Sequence, residues 1–174
     1  IDIILEYKLR NIQEIKAISG SSNINLIILT GGEPLRQDLK EFLNLARIER
    51  YRVQIETNGT LYQEWVNLSH SIVCSPKTPK VNKDLLPYIT AWKYILDADN
   101  VDPNDGLPSN TLGTGLSPAR PDFPHLMCNY HIFVQPMDVQ DEQLNKRNVQ
   151  AAIASCMKYG YRLSIQQHKS LGLE

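Results

Sequence analysis

The hydrophobic positions of this chain follow two alternating periods. From residue 5 to about residue 19, Leu5, Leu9, Ile12, Ile15 and Ile18 recur three or four apart, the spacing of one helix face. Residues 25–29 form a short apolar run, too brief for a helix and of the kind found in strands covered on both faces. Leu39, Phe42, Leu43 and Ala46 predict a helix over residues 37–49, and a strand follows at 52–56. The alternation continues with strands at 71–74, 92–96 and 131–135, a long helix from 141 to about 159, and a last strand at 162–166. Short strands separated by helices build βαβ units, so the expected fold class is α/β with a parallel sheet or barrel. Residues 97–128 break the rhythm with five prolines (103, 108, 118, 121 and 124) and no periodicity. They are expected to be an irregular insertion running over the surface of a single domain, 1–174.

Composition narrows the classes. A chain of 174 residues, 42% hydrophobic and 21% charged, suits one globular domain. Its 18 Lys and Arg against 19 Asp and Glu leave a net charge of −1, so no broad basic face is expected to meet a phosphate backbone. No apolar run reaches the roughly 18 residues of a membrane span, and no membrane partner is expected. The chain starts Ile1-Asp2-Ile3-Ile4, neither a basic leader nor a methionine start, so its true start is expected upstream. Cys74, Cys128 and Cys156 are dispersed and match no close-spaced ligand motif. They read as small buried hydrophobes in a reducing cytoplasm, and no metal site is expected from these three.

The chemistry stands at the ends of the strands. Leu29 runs into Thr30-Gly31-Gly32-Glu33-Pro34, Ile55 into Glu56-Thr57-Asn58-Gly59, Cys74 into Ser75-Pro76-Lys77, Val134 into Gln135-Pro136-Met137-Asp138, and Ile165 into Gln166-Gln167-His168-Lys169. In a parallel α/β architecture the carboxyl ends of the strands share one face, where ligands bind. The pair Gly31-Gly32 offers backbone amides without side chains, followed by a carboxylate and a rigid turn. Such a segment can lie flat against a ligand, accept from an ammonium and donate to a carboxylate. Lys93 either faces this site or is a solvated lysine in its strand, and Glu56 is open between a ligand contact and a supporting role. His70, His125 and His131 lack partners at ligand spacing, Trp65 and Trp92 read as packing groups, and no residue is singled out as catalytic.

The Gly-Gly-Glu element after a buried strand resembles the segment with which radical S-adenosylmethionine enzymes hold the methionyl group of their cofactor. Gln54-Ile55-Glu56-Thr57-Asn58-Gly59-Thr60, Cys74-Ser75-Pro76-Lys77, Gln135-Pro136-Met137-Asp138 and the ending Tyr161 to Lys169 narrow the resemblance to the 7-carboxy-7-deazaguanine synthases of queuosine and 7-deazapurine biosynthesis. The resemblance covers roughly residues 26–174, interrupted by the insertion. It implies a partial (β/α) barrel of the radical S-adenosylmethionine type, a homodimer, and a carbon–nitrogen lyase that turns 6-carboxy-5,6,7,8-tetrahydropterin into 7-carboxy-7-deazaguanine with loss of ammonia. It also implies S-adenosylmethionine, a 4Fe-4S cluster and Mg²⁺, with an electron donor such as flavodoxin or ferredoxin. Carried over, Gly32 would hold the methionyl portion with Gly31 and Glu33 beside it. Ser75, Pro76 and Lys77, together with Gln135, Pro136, Met137 and Asp138, would line the ribose and adenine side. Thr30 and the terminal Glu174 would touch the pterin, with His168 close to it.

The family's cluster motif, three cysteines ending in C-x-x-C, precedes the Gly-Gly-Glu element, and no cysteine precedes Gly31 here. The first strand, the cluster loop and the Mg²⁺ ligand are therefore expected in a longer chain of which this is a fragment. The 174 residues alone are expected to be inactive and to hold no metal. Two alternatives stay open: another radical S-adenosylmethionine activating enzyme, and a cluster-free module that binds a nucleotide or pterin without turnover.

Overall fold

The computed structural model describes residues 12–17, 25–111, 115–121 and 131–166. Within them, six strands form one sheet in chain order: β1 (Leu26–Leu29), β2 (Arg52–Thr57), β3 (Ser71–Cys74), β4 (Ala91–Leu96), β5 (His131–Pro136) and β6 (Arg162–Leu163). Every neighbouring pair is parallel. A strand order that never reverses sends crossovers of one hand to one side of the sheet, which is how a barrel wall is built. The architecture is the α/β partial barrel expected from the sequence.

The two faces of the sheet differ as that arrangement requires. The register sets Ile55 beside Ile72, Cys74 beside Trp92 and Tyr94 beside Val134, and all six are buried. They join one core with Phe42, Leu43 and Ala46 of helix α1 (Lys40–Ile48) and Ala152 of helix α2 (Glu142–Tyr159). Side chains alternate across a strand, so Ile28, Gln54, Glu56, Lys93, Phe133 and Gln135 lie on the opposite face. That face is covered far less: Ile28 is 50% exposed, and Glu56, Lys93, Phe133 and Gln135 are half-buried.

Three sequence expectations are revised. The helix expected over 37–49 starts only at Lys40, because Pro34–Arg36 forms a separate 3-10 turn and the Asp38 carboxylate then accepts the Lys40 N–H at 3.1 Å. The strand expected over 162–166 is two residues long. It pairs on one side with β5, Ser164 N–H adds one bond to Val134 O at 2.9 Å, and Ile165 is 52% exposed, so no burial rewards extension. The insertion does not simply run over the surface, since Leu107 and Ala119 are buried in the core. The first predicted helix is helical at 12–17, and the rest of it lies outside the described residues, as do His125 and Cys128. Helix α2 starts under the carboxylate of Asp141, which accepts the N–H of Gln143 and of Leu144, and it stops at Gly160. Among the described residues no helix is long and apolar enough to cross a membrane.

Candidate functional site

The turn after β1 presents bare backbone. Thr30, Gly31 and Gly32 are exposed, and Gly31 has φ +109°, a conformation that side-chain-bearing residues rarely adopt. A Cβ added at Gly31 or Gly32 would meet no atom of the described residues within 4 Å, so these two residues border open space. Glu33 does the reverse and turns into the protein. One carboxylate oxygen accepts the Thr57 hydroxyl at 2.6 Å and the Leu35 N–H at 3.2 Å, and the other accepts the Asn58 N–H at 2.8 Å. Thr57, itself 3% exposed, accepts the Gly59 N–H at 3.1 Å. The carboxylate thus bolts the glycine turn to the end of β2.

The neighbouring strand ends are tied edge to edge. Ser75 N–H donates to Thr57 O at 2.8 Å beyond β3, and Met137 N–H donates to Leu96 O at 2.8 Å beyond β5. Asn148, buried on α2, was not found from the sequence. Its side chain accepts the Ala98 N–H and donates to Met137 O, each at 2.9 Å, which joins the loops after β4 and β5. The signal was faint: Asn148 stands in helical step with Ala152 and Ser155, the other buried positions of α2, while Leu144 one turn earlier is exposed. Asp138 is exposed and accepts from Gln140 N–H at 3.2 Å and Asn145 Nδ2 at 2.7 Å, which ties it to the start of α2.

Lys93 and Glu56, both ambiguous in the sequence, form an ion pair at 2.5 Å on the less covered sheet face. Lys77 lies close by. Partial burial, and secondarily the charge of Lys93, hold its pKa below the ordinary lysine value, although much of its side chain is exposed. Ser75, Pro76, Lys77 and Lys93 line a crevice of only about 10 Å³ together with Pro108, Thr111 and Pro118 of the insertion, so these segments are packed against one another. Gly31 to Glu33 and Gln135 to Asp138 stand at the same sheet edge without lining that crevice. A broader groove of about 760 Å³ lies between Asp38, Tyr62, Glu64 and Leu68, and no sequence-predicted site residue lines it. His168, Lys169 and Glu174 lie outside the described residues.

The two described thiols are both shielded. Cys74 is fully buried, and burial with a contribution from Glu33 pushes its pKa up to about 12; burial also raises that of Cys156 on α2. Among the described residues no group of His, Cys, Asp and Glu is arranged to hold a metal ion. Trp65 and Trp92 are 7% and 2% exposed, which fits packing groups.

No family model matches the chain. Curated relatives do: it is 39% identical over 158 residues to the 7-carboxy-7-deazaguanine synthase of Rhodospirillum rubrum, covering 84% of this chain and 64% of that protein. It is 36% identical over 159 residues to the 7-carboxy-7-deazaguanine synthase of Rickettsia prowazekii, covering 88% of this chain and 62% of that one. The chain therefore spans just under two thirds of the length of these relatives. In fold it is similar to the crystal structure of QueE from Escherichia coli, with a TM-score of 0.59, 19% identity, and coverage of 90% of this chain and 63% of that one.

Proposed function

We propose, for a chain that is a homologue of the 7-carboxy-7-deazaguanine synthases over most of its own length, that it carries the S-adenosylmethionine site of such an enzyme. The reaction on this reading converts 6-carboxy-5,6,7,8-tetrahydropterin into 7-carboxy-7-deazaguanine with loss of ammonia, one step in making 7-deazapurines. The observation that carries it is the Gly31-Gly32 backbone, open on its outer side and bolted by Glu33 to the end of β2, at an edge that the other strand-end loops share.

The residues fit an amino-acid moiety joined to a nucleoside. Gly32, with Gly31 beside it, lets the methionyl group lie against main chain, where N–H and C=O groups can meet its carboxylate and ammonium. Glu33 holds that backbone in place. Ser75, Pro76 and Lys77 take the nucleoside side with Gln135, Pro136, Met137 and Asp138, and Thr30 takes the pterin, a role that the resemblance also gives to His168 and Glu174. When bound and reductively cleaved at a 4Fe-4S cluster, S-adenosylmethionine supplies hydrogen-atom abstraction, a chemistry no side chain provides. The protein contributes position and exclusion of water. Cys74 and Cys156 do not fit a cluster, and the described residues do not fit Mg²⁺, so no step is assigned to either group here. The reading requires cluster thiolates other than Cys74 and Cys156, an electron donor of the flavodoxin or ferredoxin class, and a homodimer in the cytoplasm.

The full-length gene product, reconstituted without oxygen, is expected to hold about four irons per chain and to release 5′-deoxyadenosine from S-adenosylmethionine under a strong reductant. A full-length product that takes up no iron and leaves S-adenosylmethionine intact would overturn the reading in favour of a binding module.

A further inference from the structure

The described part of the insertion after β4, residues 97–111 and 115–121, is tied closely to the rest of the chain. Its Gly106, at φ +72°, sits where a Cβ would come within 2.4 Å of the Tyr159 ring, so only glycine lets the loop approach α2. Ser155 donates to Gly106 O at 2.6 Å, Tyr159 to Pro103 O at 2.7 Å and Tyr161 to Asp105 O at 2.8 Å, while Leu107 is 2% exposed in the core. Arg120 then closes the loop on itself. Its guanidinium binds Asp105 at 2.6 Å, Pro108 O at 3.0 Å and Pro118 O at 3.1 Å, and lies 5.7 Å over the Tyr94 ring. The Tyr94 hydroxyl in turn donates to Ala119 O at 2.7 Å.

From this frame two hydrogen bonds reach the loop after β3. Thr111 Oγ1 donates to Lys77 O at 3.0 Å, and Ala119 N–H donates to Thr78 O at 2.8 Å. Pro108, Thr111 and Pro118 also pack against Ser75, Pro76, Lys77 and Lys93 with only about 10 Å³ of space left between them. We propose that the insertion braces the loop that forms the nucleoside subsite, and that Thr111 is a positioning residue that fixes the main chain of Ser75 to Lys77 for the ligand. The inference rests on the reading of Ser75 to Lys77 as the nucleoside side of the S-adenosylmethionine site. It follows that Pro108 and Pro118 serve as stiffeners: a braced segment has little conformational freedom left to lose when the ligand arrives.

The test uses the full-length gene product with its cluster reconstituted, and reads equilibrium binding of radiolabelled S-adenosylmethionine beside melting temperature. Thr111→Val keeps the shape and deletes the donor to Lys77 O. It is expected to weaken S-adenosylmethionine about 3- to 10-fold, the worth of one neutral hydrogen bond, with the melting temperature nearly unchanged. Thr111→Ser, which restores the donor, is expected to recover the affinity, and pterin affinity is expected to be the same in all three proteins. A Ser75→Val variant, which alters the proposed nucleoside contact itself, separates the two possible failures. Affinity lost in Ser75→Val but intact in Thr111→Val would overturn the role of the insertion and leave the subsite standing. Affinity intact in both would overturn the subsite reading and the inference with it.

Discussion

Gly32→Val is expected to leave the full-length protein as stable as before and to cut its affinity for S-adenosylmethionine by about 10- to 100-fold, equivalent to ~1.4 to 2.8 kcal/mol. The two halves of that expectation come from one geometry. Gly32, unlike Gly31, does not occupy the left-handed region, so valine can adopt its backbone conformation. A Cβ there meets no atom of the described residues within 4 Å, which leaves open space for the branch. The cost falls only on a ligand pressed against the main chain, and two γ-methyls would hold it off. Calorimetry and ligand binding on the same preparation check both parts. Undiminished binding would show that Thr30 to Pro34 is only a turn. Lost binding accompanied by a fall of many degrees in melting temperature would show that the open space at Gly32 is needed by the fold instead.

Glu33→Ala is expected to act the other way, through the fold. The substitution deletes the acceptors of the Thr57 hydroxyl and of the Asn58 and Leu35 N–H groups, and leaves a hydroxyl on a 3% exposed residue without that partner. Hydrogen bonds to a charged acceptor are strong, and a deserted buried donor is costly, so a loss of about 2–4 kcal/mol is expected. At roughly 2–4 °C per kcal/mol for a chain of this size class, the melting temperature should fall by about 5–15 °C. Glu33→Gln is expected to fall between, because an amide keeps one acceptor and sets an N–H group against another donor. A Glu33→Ala protein with unchanged melting temperature and no affinity for S-adenosylmethionine would place that carboxylate on the ligand.

These two expectations mark where sequence reading worked and where it stopped. Thr30 to Pro34 stood out because glycines, a carboxylate and a proline follow an apolar run, and the alternation of strands and helices located the edge where that turn lies. The direction of Glu33 was not legible. Its partner Thr57 is 24 residues on, and only the β1–β2 register brings the two together. The same holds for Glu56 and Lys93, 37 residues apart, whose side chains meet on one sheet face. The insertion misled for a related reason: it has no period, and what buries Leu107 is a set of bonds from Ser155, Tyr159 and Tyr161 to a glycine-centred turn some 50 residues earlier. Composition rich in proline reads as exposed loop until such anchors are seen. The last strand was read too long because alternation alone carries no information about whether a partner strand lies on the outer side.

The central claim is that this chain supplies the cofactor site of a deazapurine-forming synthase. It is tested most directly by incubating the full-length gene product, carrying its cluster, with 6-carboxy-5,6,7,8-tetrahydropterin, S-adenosylmethionine and a reductant, and following the products by mass spectrometry. The account predicts 7-carboxy-7-deazaguanine, formed by the unsubstituted protein and strongly reduced in Gly32→Val. A protein that holds its cluster and cleaves S-adenosylmethionine, yet returns the pterin unchanged, would contradict it.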